Sequence, residues 1–470
     1  MSDTADSAHS THFADLGLPS DLTENLASLG YHQMTPIQAQ SLPHTLAGRD
    51  LLGQGKTGSG KTAAFGLAVL GRLKVERFRV QSLILCPTRE LADQVAEELR
   101  RLARQMHNVK ILTLCGGAPL GPQIHSLSHG AHIIVGTPGR VEQHLGKGTL
   151  SLKDLTMLVL DEADRMLDMG FQESLDAIIE ATPPQRQTLL FSATFDDAVR
   201  PLAESRLRQP VTVSVESVHD QSTIQQHFYA VEGPSSRLDA LTQLLLKWQP
   251  QSSVVFCNTR QETQEVADAL AAKGFSARAL HGDMEQRERD QTLLRFAQQS
   301  LSILVATDVA ARGLDISDLD AVFNYELPRD LDVHIHRIGR TGRAGSHGTA
   351  YTLVGPKETF KLATLETRLN ETLPLEPLPS APAKAQAFQA PMVTLEVDAG
   401  KKQKIRPGDV VGVLTNSDYG QALLFEQLGK IKVTARSTFV AVARPVAKKA
   451  LAQLQQASLK GRKVRARRLS

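Results

Sequence analysis

The chain has 470 residues, 41% hydrophobic and 22% charged, with 53 Lys and Arg against 50 Asp and Glu for a net charge of +3. That length exceeds one hydrophobic core and predicts two to four domains of ordinary globular composition. Three widely spaced cysteines, Cys86, Cys115 and Cys257, argue against a disulfide scaffold or a zinc module, and the absence of any run of 18 apolar residues argues against a membrane span, so a reducing, cytoplasmic setting is expected.

A polar tail, residues 1–12, is expected to be disordered. Residues 13–212 then alternate short apolar runs with helical patterns. Strands are predicted at Asp50–Gly53, Ser82–Cys86, Lys110–Cys115, His132–Val135, Met157–Asp161 and Thr188–Ser192. Between them lie amphipathic stretches such as Thr88–Arg104, with Leu91, Val95, Leu99 and Leu102 on one face. Continuous apolar strands alternating with helices predict a parallel sheet covered on both faces.

The pattern repeats over residues 213–372, with strands at Ser253–Cys257, Ser276–Leu280, Ser302–Ala306 and Ala321–Asn324 and a helix at Gln261–Lys273. Residues 373–391 carry five prolines and predict a semi-rigid spacer. Residues 392–470 read strand Met392–Val397, helix Pro407–Leu414, strands Gly429–Val433 and Thr438–Val442, helix Pro445–Gln455, strand Arg462–Arg467. That order is the ferredoxin-like plan of many RNA-binding modules. The expected fold class is α/β: two RecA-like parallel-sheet domains in tandem and a C-terminal α+β domain.

Charge is unevenly placed. Residues 392–470 hold 16 Lys and Arg against 5 Asp and Glu, about +11, while the remainder carries about −8. A positive end predicts a polyanionic partner; the bland alternative is a solubilising tail.

Gly55-Lys56-Thr57-Gly58-Ser59-Gly60-Lys61-Thr62 fits the phosphate-loop pattern. Its backbone N–H groups close around phosphates, Lys61 reaches the β and γ phosphates, and Thr62 offers a hydroxyl to Mg²⁺. A hundred residues on, Asp161-Glu162-Ala163-Asp164 ends an apolar strand. Asp161 is placed to help hold Mg²⁺, partly through water, and Glu162 to position the attacking water. The bland reading of Glu162, a solvated strand-end carboxylate, is hard to keep beside the glycine loop.

The motifs, taken together, resemble the DEAD-box RNA helicases from Phe13 to about residue 350. They are Gly30-Tyr31, Thr35-Pro36-Ile37-Gln38, the glycine loop, Pro87-Thr88-Arg89-Glu90-Leu91, Gly116-Gly117, Thr137-Pro138-Gly139-Arg140, Asp161–Asp164 and Ser192-Ala193-Thr194. The second half adds Val255-Phe256-Cys257-Asn258, Gln286 with Arg289, Ala306-Thr307-Asp308, Arg312-Gly313-Leu314-Asp315 and His336–Arg343.

The resemblance implies an ATP hydrolase that opens short RNA duplexes locally. Phe13 and Tyr31 would lie beside the adenine that Gln38 reads, although Phe13 equally suits a hydrophobic staple. Gly58, Ser59, Gly60, Lys61 and Thr62 would hold the phosphates and Asp315 the ribose. Arg340 and Arg343 would be arginine fingers. Asp164, Ser192, Thr194 and His336 would couple the lobes. Arg89, Gly116, Gly117, Thr137, Arg140, Gln286, Arg289 and Thr307 would hold RNA through phosphate and sugar, without reading bases; ordinary turn chemistry is the alternative at several of these positions.

The C-terminal module resembles that of the bacterial DbpA subfamily, around Lys404-Ile405-Arg406-Pro407-Gly408 and Gly429-Lys430-Ile431-Lys432-Val433. This implies targeting to a structured 23S-type ribosomal RNA hairpin and a part in large-subunit assembly. With few aromatics, the module is expected to bind through basic loops, Lys404, Arg406, Lys430 and Lys432 among them, and Phe439 is expected in its core. Two other readings stand beside the helicase: an RNA clamp in which ATP only locks the lobes, disfavoured by Glu162, Arg340 and Arg343, and a DNA helicase, disfavoured by the Gln38 and Thr137–Arg140 motifs.

Overall fold

The computed structural model of the chain describes residues 11–55, 58–195, 199–215, 224–311, 319–328, 330–342, 348–380, 382, 385–419 and 422–469. The tail predicted at 1–12 lies almost wholly outside them, as do Asp315 and Arg343. The chain folds as two compact units that divide near residue 218.

The first unit is built on a seven-stranded parallel sheet. Its strands are β1 (Leu51–Gln54), β2 (Ser82–Leu85), β3 (Ile111–Leu114), β4 (Ile133–Gly136), β5 (Met157–Asp161), β6 (Gln187–Ser192) and β7 (Val211–Ser214), in the order β3-β4-β2-β5-β6-β1-β7. Because strand side chains alternate in direction, Leu83, Leu85, Leu158 and Leu160 enter one core, while Ile84 and Val159 enter the other. Each fully buried Leu or Ile contributes roughly 1.5–3 kcal/mol. Helix Arg89–Leu102 starts where the Thr88 hydroxyl accepts from the Leu91 amide at 3.3 Å, and it buries Leu91, Val95, Leu99 and Leu102.

The second unit begins with the same design. Strands β8 (Ile224–Ala230), β9 (Ser253–Cys257), β10 (Ala277–Leu280), β11 (Ile303–Thr307), β12 (Ala321–Asn324), β13 (Gly348–Val354) and β14 (Leu375–Glu376) run in the order β10-β11-β9-β12-β13-β8-β14, all parallel. The order matches the first sheet position for position. Periodicity missed β7, β8, β13 and β14. β8 reads Ile-Gln-Gln-His-Phe-Tyr-Ala, too polar for a buried-strand signal, and β13 opens on glycine.

The stretch read as a spacer, 373–391, is a strap laid on the second lobe. β14 pairs with β8, Leu378, Ala387 and Phe388 pack on the lobe's core, and Phe388 meets Phe275 edge-on at 5.4 Å. Proline-rich composition limits regular structure, but it does not prevent apolar residues from docking.

The C-terminal module contains β15 (Met392–Val397), β16 (Leu428–Val433), β17 (Thr438–Ala443), β18 (Ser458–Leu459), β19 (Arg462–Lys463) and β20 (Ala466–Arg468), with helices Pro407–Thr415 and Ala447–Gln456. The main sheet runs β16-β17-β15-β20, antiparallel, as the ferredoxin-like plan requires. Two corrections follow. The final strand is broken, because Arg462–Lys463 pairs back on β18 across the Lys460-Gly461 turn, at φ 50° and 74°, while Ala466–Arg468 pairs with β15. Phe439 lies outside the module's core: Val440 and Val442 face the helices, so the alternate residue Phe439 faces the other side. No described helix is long and apolar enough to cross a membrane.

Candidate functional site

In a parallel sheet every carboxyl end lies along one edge, where loops converge. In the first lobe that edge gathers Gly55 after β1, Thr88-Arg89 after β2, Gly116-Gly117 after β3, Thr137 after β4, Asp161-Glu162 at the end of β5 and Ser192 at the end of β6. Motifs scattered between Gly55 and Ser192 thus share one border.

The glycine loop is held by the segment before it. Thr35 Oγ1 donates to Ser59 O at 2.8 Å, and Gln38 Nε2 donates to Gly60 O at 3.1 Å. Gln38 Oε1 accepts from the Thr35 amide at 2.9 Å, closing a capping box on helix Pro36–Leu46. Gly58 and Gly60 adopt φ 91° and 96°, and a Cβ on Gly60 would stand 2.5 Å from Gln38 Nε2. Only glycine suits that position. Lys61 is buried at the start of helix Lys61–Gly71, its Nζ 2.5 Å from Gly55 O. The positive end of that helix favours an anion in the loop.

Asp161, Glu162 and Asp164 are all buried. Burial pushes the Asp161 carboxyl up to about 7, opposed by the nearby Lys61 ammonium and reinforced by Glu162 and Asp164. Glu162 stands in the left-handed region at φ 55°, and its Oε2 takes a 2.7 Å ion pair from Arg165, itself buried. Asp164 accepts from the Ala193 and Thr194 amides at 3.1 and 3.3 Å and from the Thr194 hydroxyl at 3.5 Å. It thereby ties the acidic loop to the Ser192–Thr194 loop. The Ser59 and Ser192 hydroxyls are buried without a partner.

This set fits a magnesium ion. The carboxylates outnumber their buried cations, which a dication would relieve. Among the described residues no three His, Cys, Asp or Glu side chains form a cage. Mg²⁺ characteristically takes one or two protein oxygens and completes its shell with phosphate and water.

Farther along the edge, Gly117 adopts φ 73° and Gly116 N donates to Thr137 Oγ1 at 3.4 Å. Arg140 Nη1 donates to Ala118 O and Gln123 Oε1 at 2.9 and 3.0 Å, and Gln123 Nε2 donates to Cys115 O at 3.0 Å. Arg140 therefore supports the Gly-Gly turn. Arg89 pairs with Asp93 at 3.7 Å. Phe13 is buried, edge-on to Tyr31 at 6.0 Å, and Tyr31 carries Arg101 over its ring at 5.3 Å.

In the second lobe, Thr307 ends β11 and its hydroxyl accepts from the Ala310 amide at 3.4 Å. Gln286 and Arg289 occupy the first turn of helix Gln286–Ala297. His336 lies on helix Asp332–Ile338, and Arg340 is buried just past its end. The centre of this edge is Arg337, 1% exposed: it pairs with Asp308 at 2.6 and 2.8 Å, donates to Asn258 Oδ1 at 2.9 Å and Glu326 O at 2.7 Å, and lies over Phe256. In the module, Lys404, Arg406, Lys430 and Lys432 are all exposed.

Sequence reasoning overlooked Arg165 and gave Arg337 no role. Arg165 had a weak signal, a cation three residues after Glu162 at a helix start. Arg337 stood inside the His336–Arg343 motif, but the sequence did not say that it binds Asp308 and Asn258 of two other motifs.

Comparison with known proteins agrees with this geometry. Residues 35–202 match the DEAD/DEAH box helicase family, 236–345 the helicase conserved C-terminal domain, and 394–468 the DbpA RNA binding domain. The chain is 51% identical over 461 residues to the ATP-dependent RNA helicase DbpA of Escherichia coli, covering 98% of this chain and 100% of that protein. It is 43% identical over 356 residues to the DEAD-box ATP-dependent RNA helicase CshA of Geobacillus kaustophilus, 76% of each chain. Among solved structures, Dbp5 of S. cerevisiae bound to RNA and ADP BeF3 is similar with a TM-score of 0.70 and 30% identity, covering 78% of this chain and 96% of that one.

Proposed function

The chain belongs to the DEAD-box ATP-dependent RNA helicases, and from that premise we propose that it couples ATP hydrolysis to local, non-processive opening of short RNA duplexes in structured 23S-type ribosomal RNA. The observation that carries the reading is the meeting of Lys61, the glycine loop and the buried Asp161–Glu162 pair on one sheet edge. The setting we infer is cytoplasmic, during large ribosomal subunit assembly.

The loop and the helix behind it bind the triphosphate, with Lys61 opposite the β and γ phosphates and Gln38 signalling the state of the base to Gly60 through its hydrogen bond. Thr62 and Asp161 would hold Mg²⁺, which when bound neutralises phosphate charge. Glu162, aimed by Arg165, orients and deprotonates water. Arg340 and Arg343 add guanidinium charge when the lobes close, and Asp315 holds the ribose. Asp164, Ser192, Thr194 and His336 pass closure between lobes. Arg89, Gly116, Gly117, Thr137, Arg140, Gln286, Arg289 and Thr307 grip RNA of any sequence, so selectivity falls to the module, with Lys404, Arg406, Lys430 and Lys432.

The test is phosphate release by the full chain with 23S ribosomal RNA fragments or unrelated RNA of equal length. A fragment that stimulates turnover well beyond the unrelated RNA is expected. Equal stimulation by every RNA would remove the targeting, and turnover indifferent to RNA would remove the coupling.

A further inference from the structure

The open face of the module's sheet, opposite its helices, is seated on the second lobe. Gln298 Nε2 donates to Lys430 O at 3.0 Å and to Phe439 O at 3.3 Å. The Thr394 hydroxyl donates to Gln298 Oε1 at 2.8 Å and meets the Ser300 hydroxyl at 2.6 Å, and the Met392 amide reaches Gln299 O at 3.2 Å. Gln298, Ser300 and Thr394 are all buried. The turn 298–300 thus crosses β16, β17 and β15, where a base-stacking platform would otherwise be.

Beside this seam stand four arginines. Arg295 is near the end of helix Gln286–Ala297, and its carbonyl accepts from Ser300 Oγ at 3.0 Å, the same hydroxyl that meets Thr394. Thr394 O accepts from the Leu469 amide at 2.9 Å, which places Arg468 one residue away. Arg444, after β17, donates to Ala390 O at 2.5 Å from its Nε. Arg278 lies on β10, against which the helix carrying Arg295 packs. None of the four forms an ion pair among the described residues, and Arg295 Nε is buried without a partner. Their neighbour Arg467, by contrast, is paired with Glu396 at 2.7 Å.

We propose that Arg278, Arg295, Arg444 and Arg468 form a seat for a phosphodiester group of bound RNA at the junction of the second lobe and the C-terminal module. Four guanidinium groups gathered without an acid repel one another, and an anion between them removes that cost. Burial and the fields of Arg278, Arg468 and Arg444 lower the Arg295 pKa to about 10, in keeping with an uncompensated cluster. Guanidinium forks match phosphate oxygens. The seat lies well away from the motif edge: Arg295 is nine residues past Gln286, roughly 13 Å along the helix. It would therefore anchor a flanking segment of RNA while the motif edge holds another. The inference rests on the RNA-binding reading but not on ribosomal targeting.

The test is equilibrium binding of 23S ribosomal RNA and of poly(A) to the full chain across a KCl series. The variant is the pair Arg278→Gln with Arg468→Gln, both exposed and outside the buried seam. Loss of one phosphate contact should flatten the log K against log salt slope for 23S RNA by roughly 0.7–0.9 and weaken binding about fivefold near 0.15 M salt. Poly(A)-stimulated turnover should stay at the wild-type rate. Arg467→Gln removes one charge, from an arginine already paired, and should keep the wild-type slope. If wild type binds both RNAs alike, targeting fails, yet a flattened slope with either RNA still supports the seat. Unchanged slopes with both RNAs would overturn it; should polyglutamate then bind wild type but not the variant, the seat takes an acidic protein instead.

Discussion

The two lobes share one sheet order but not the loop that follows the first strand. Strand register aligns Thr88 with Thr259, Thr137 with Thr307 and Gly116 with Gly282, and both helix-capping threonines bond the amide three residues on. The same register sets Asp161 level with Tyr325 and Glu162 level with Glu326. The helix after the first strand starts at Lys61 in one lobe and at Pro234 in the other, where the cation of its first turn is Arg237. Yet Arg237 is buried in an ion pair with Glu358 at 2.6 Å and also donates to Leu353 O at 3.2 Å. A cation already committed to a carboxylate has nothing left for phosphate. The frame was used twice, and what separates the two lobes is whether the cation in the first turn of that helix is tied to a carboxylate, as Arg237 is, or to a loop carbonyl beside a buried aspartate, as Lys61 is.

The sharpest way to break this asymmetry is to neutralise these two cations. Lys61→Ala should lower ATP turnover by about 10³-fold or more with the unfolding midpoint nearly unchanged, because a transition-state contact is lost. Arg237→Met should do the reverse, costing about 3–5 kcal/mol of stability in urea titration by stranding Glu358, with ATP still bound. Equal effects on both readouts would refute the assignment. The aligned acids come next. Glu162→Gln should bind ATP and RNA yet turn over on the order of 10²-fold more slowly, measured in single-turnover experiments, whereas Glu326→Gln should keep the wild-type chemical step.

A last difference between the lobes concerns acid. Both lobes bury histidines, His144 and His334 among them. His144 is bonded at both ring nitrogens, to Thr149 and Gln123, while His334 is bonded at one, to Gln226, and lies near Arg337. Burial, with Arg337 adding to it, lowers the His334 pKa to about 3. The fold therefore favours the neutral ring, so this stability is complete above about pH 6.5 and is lost as pH falls towards 3. The expected slope is roughly 1.4 kcal/mol per pH unit below 6.5. His334→Gln should flatten the urea midpoint of the second lobe between pH 6.5 and 4; an unaltered slope would assign the acid sensitivity elsewhere.

Legibility in the sequence followed how local each signal was. The glycine loop, Asp161–Asp164 and β2, β5 and β9 could be read directly, since runs of apolar residues and glycine spacing are properties of adjacent positions. β8 could not, because its polar Gln226 and His227 are partly covered only by neighbours contributed about 120 and 150 residues later. The strap was misread for the same reason: Phe388 becomes a core residue only when Phe275 is beside it.

By itself the sequence determined the repeat of two α/β lobes, the phosphate loop and its acidic partner, and the concentration of positive charge in the last eighty residues. Only the tertiary structure decided that Arg165 holds Glu162, that Arg337 and Arg237 are spoken for, and that the module's open face is closed by Gln298 and Ser300. Local chemistry is written in neighbouring residues, whereas the partner of a buried charge or an exposed face is chosen by folding, which brings together positions no spacing rule connects.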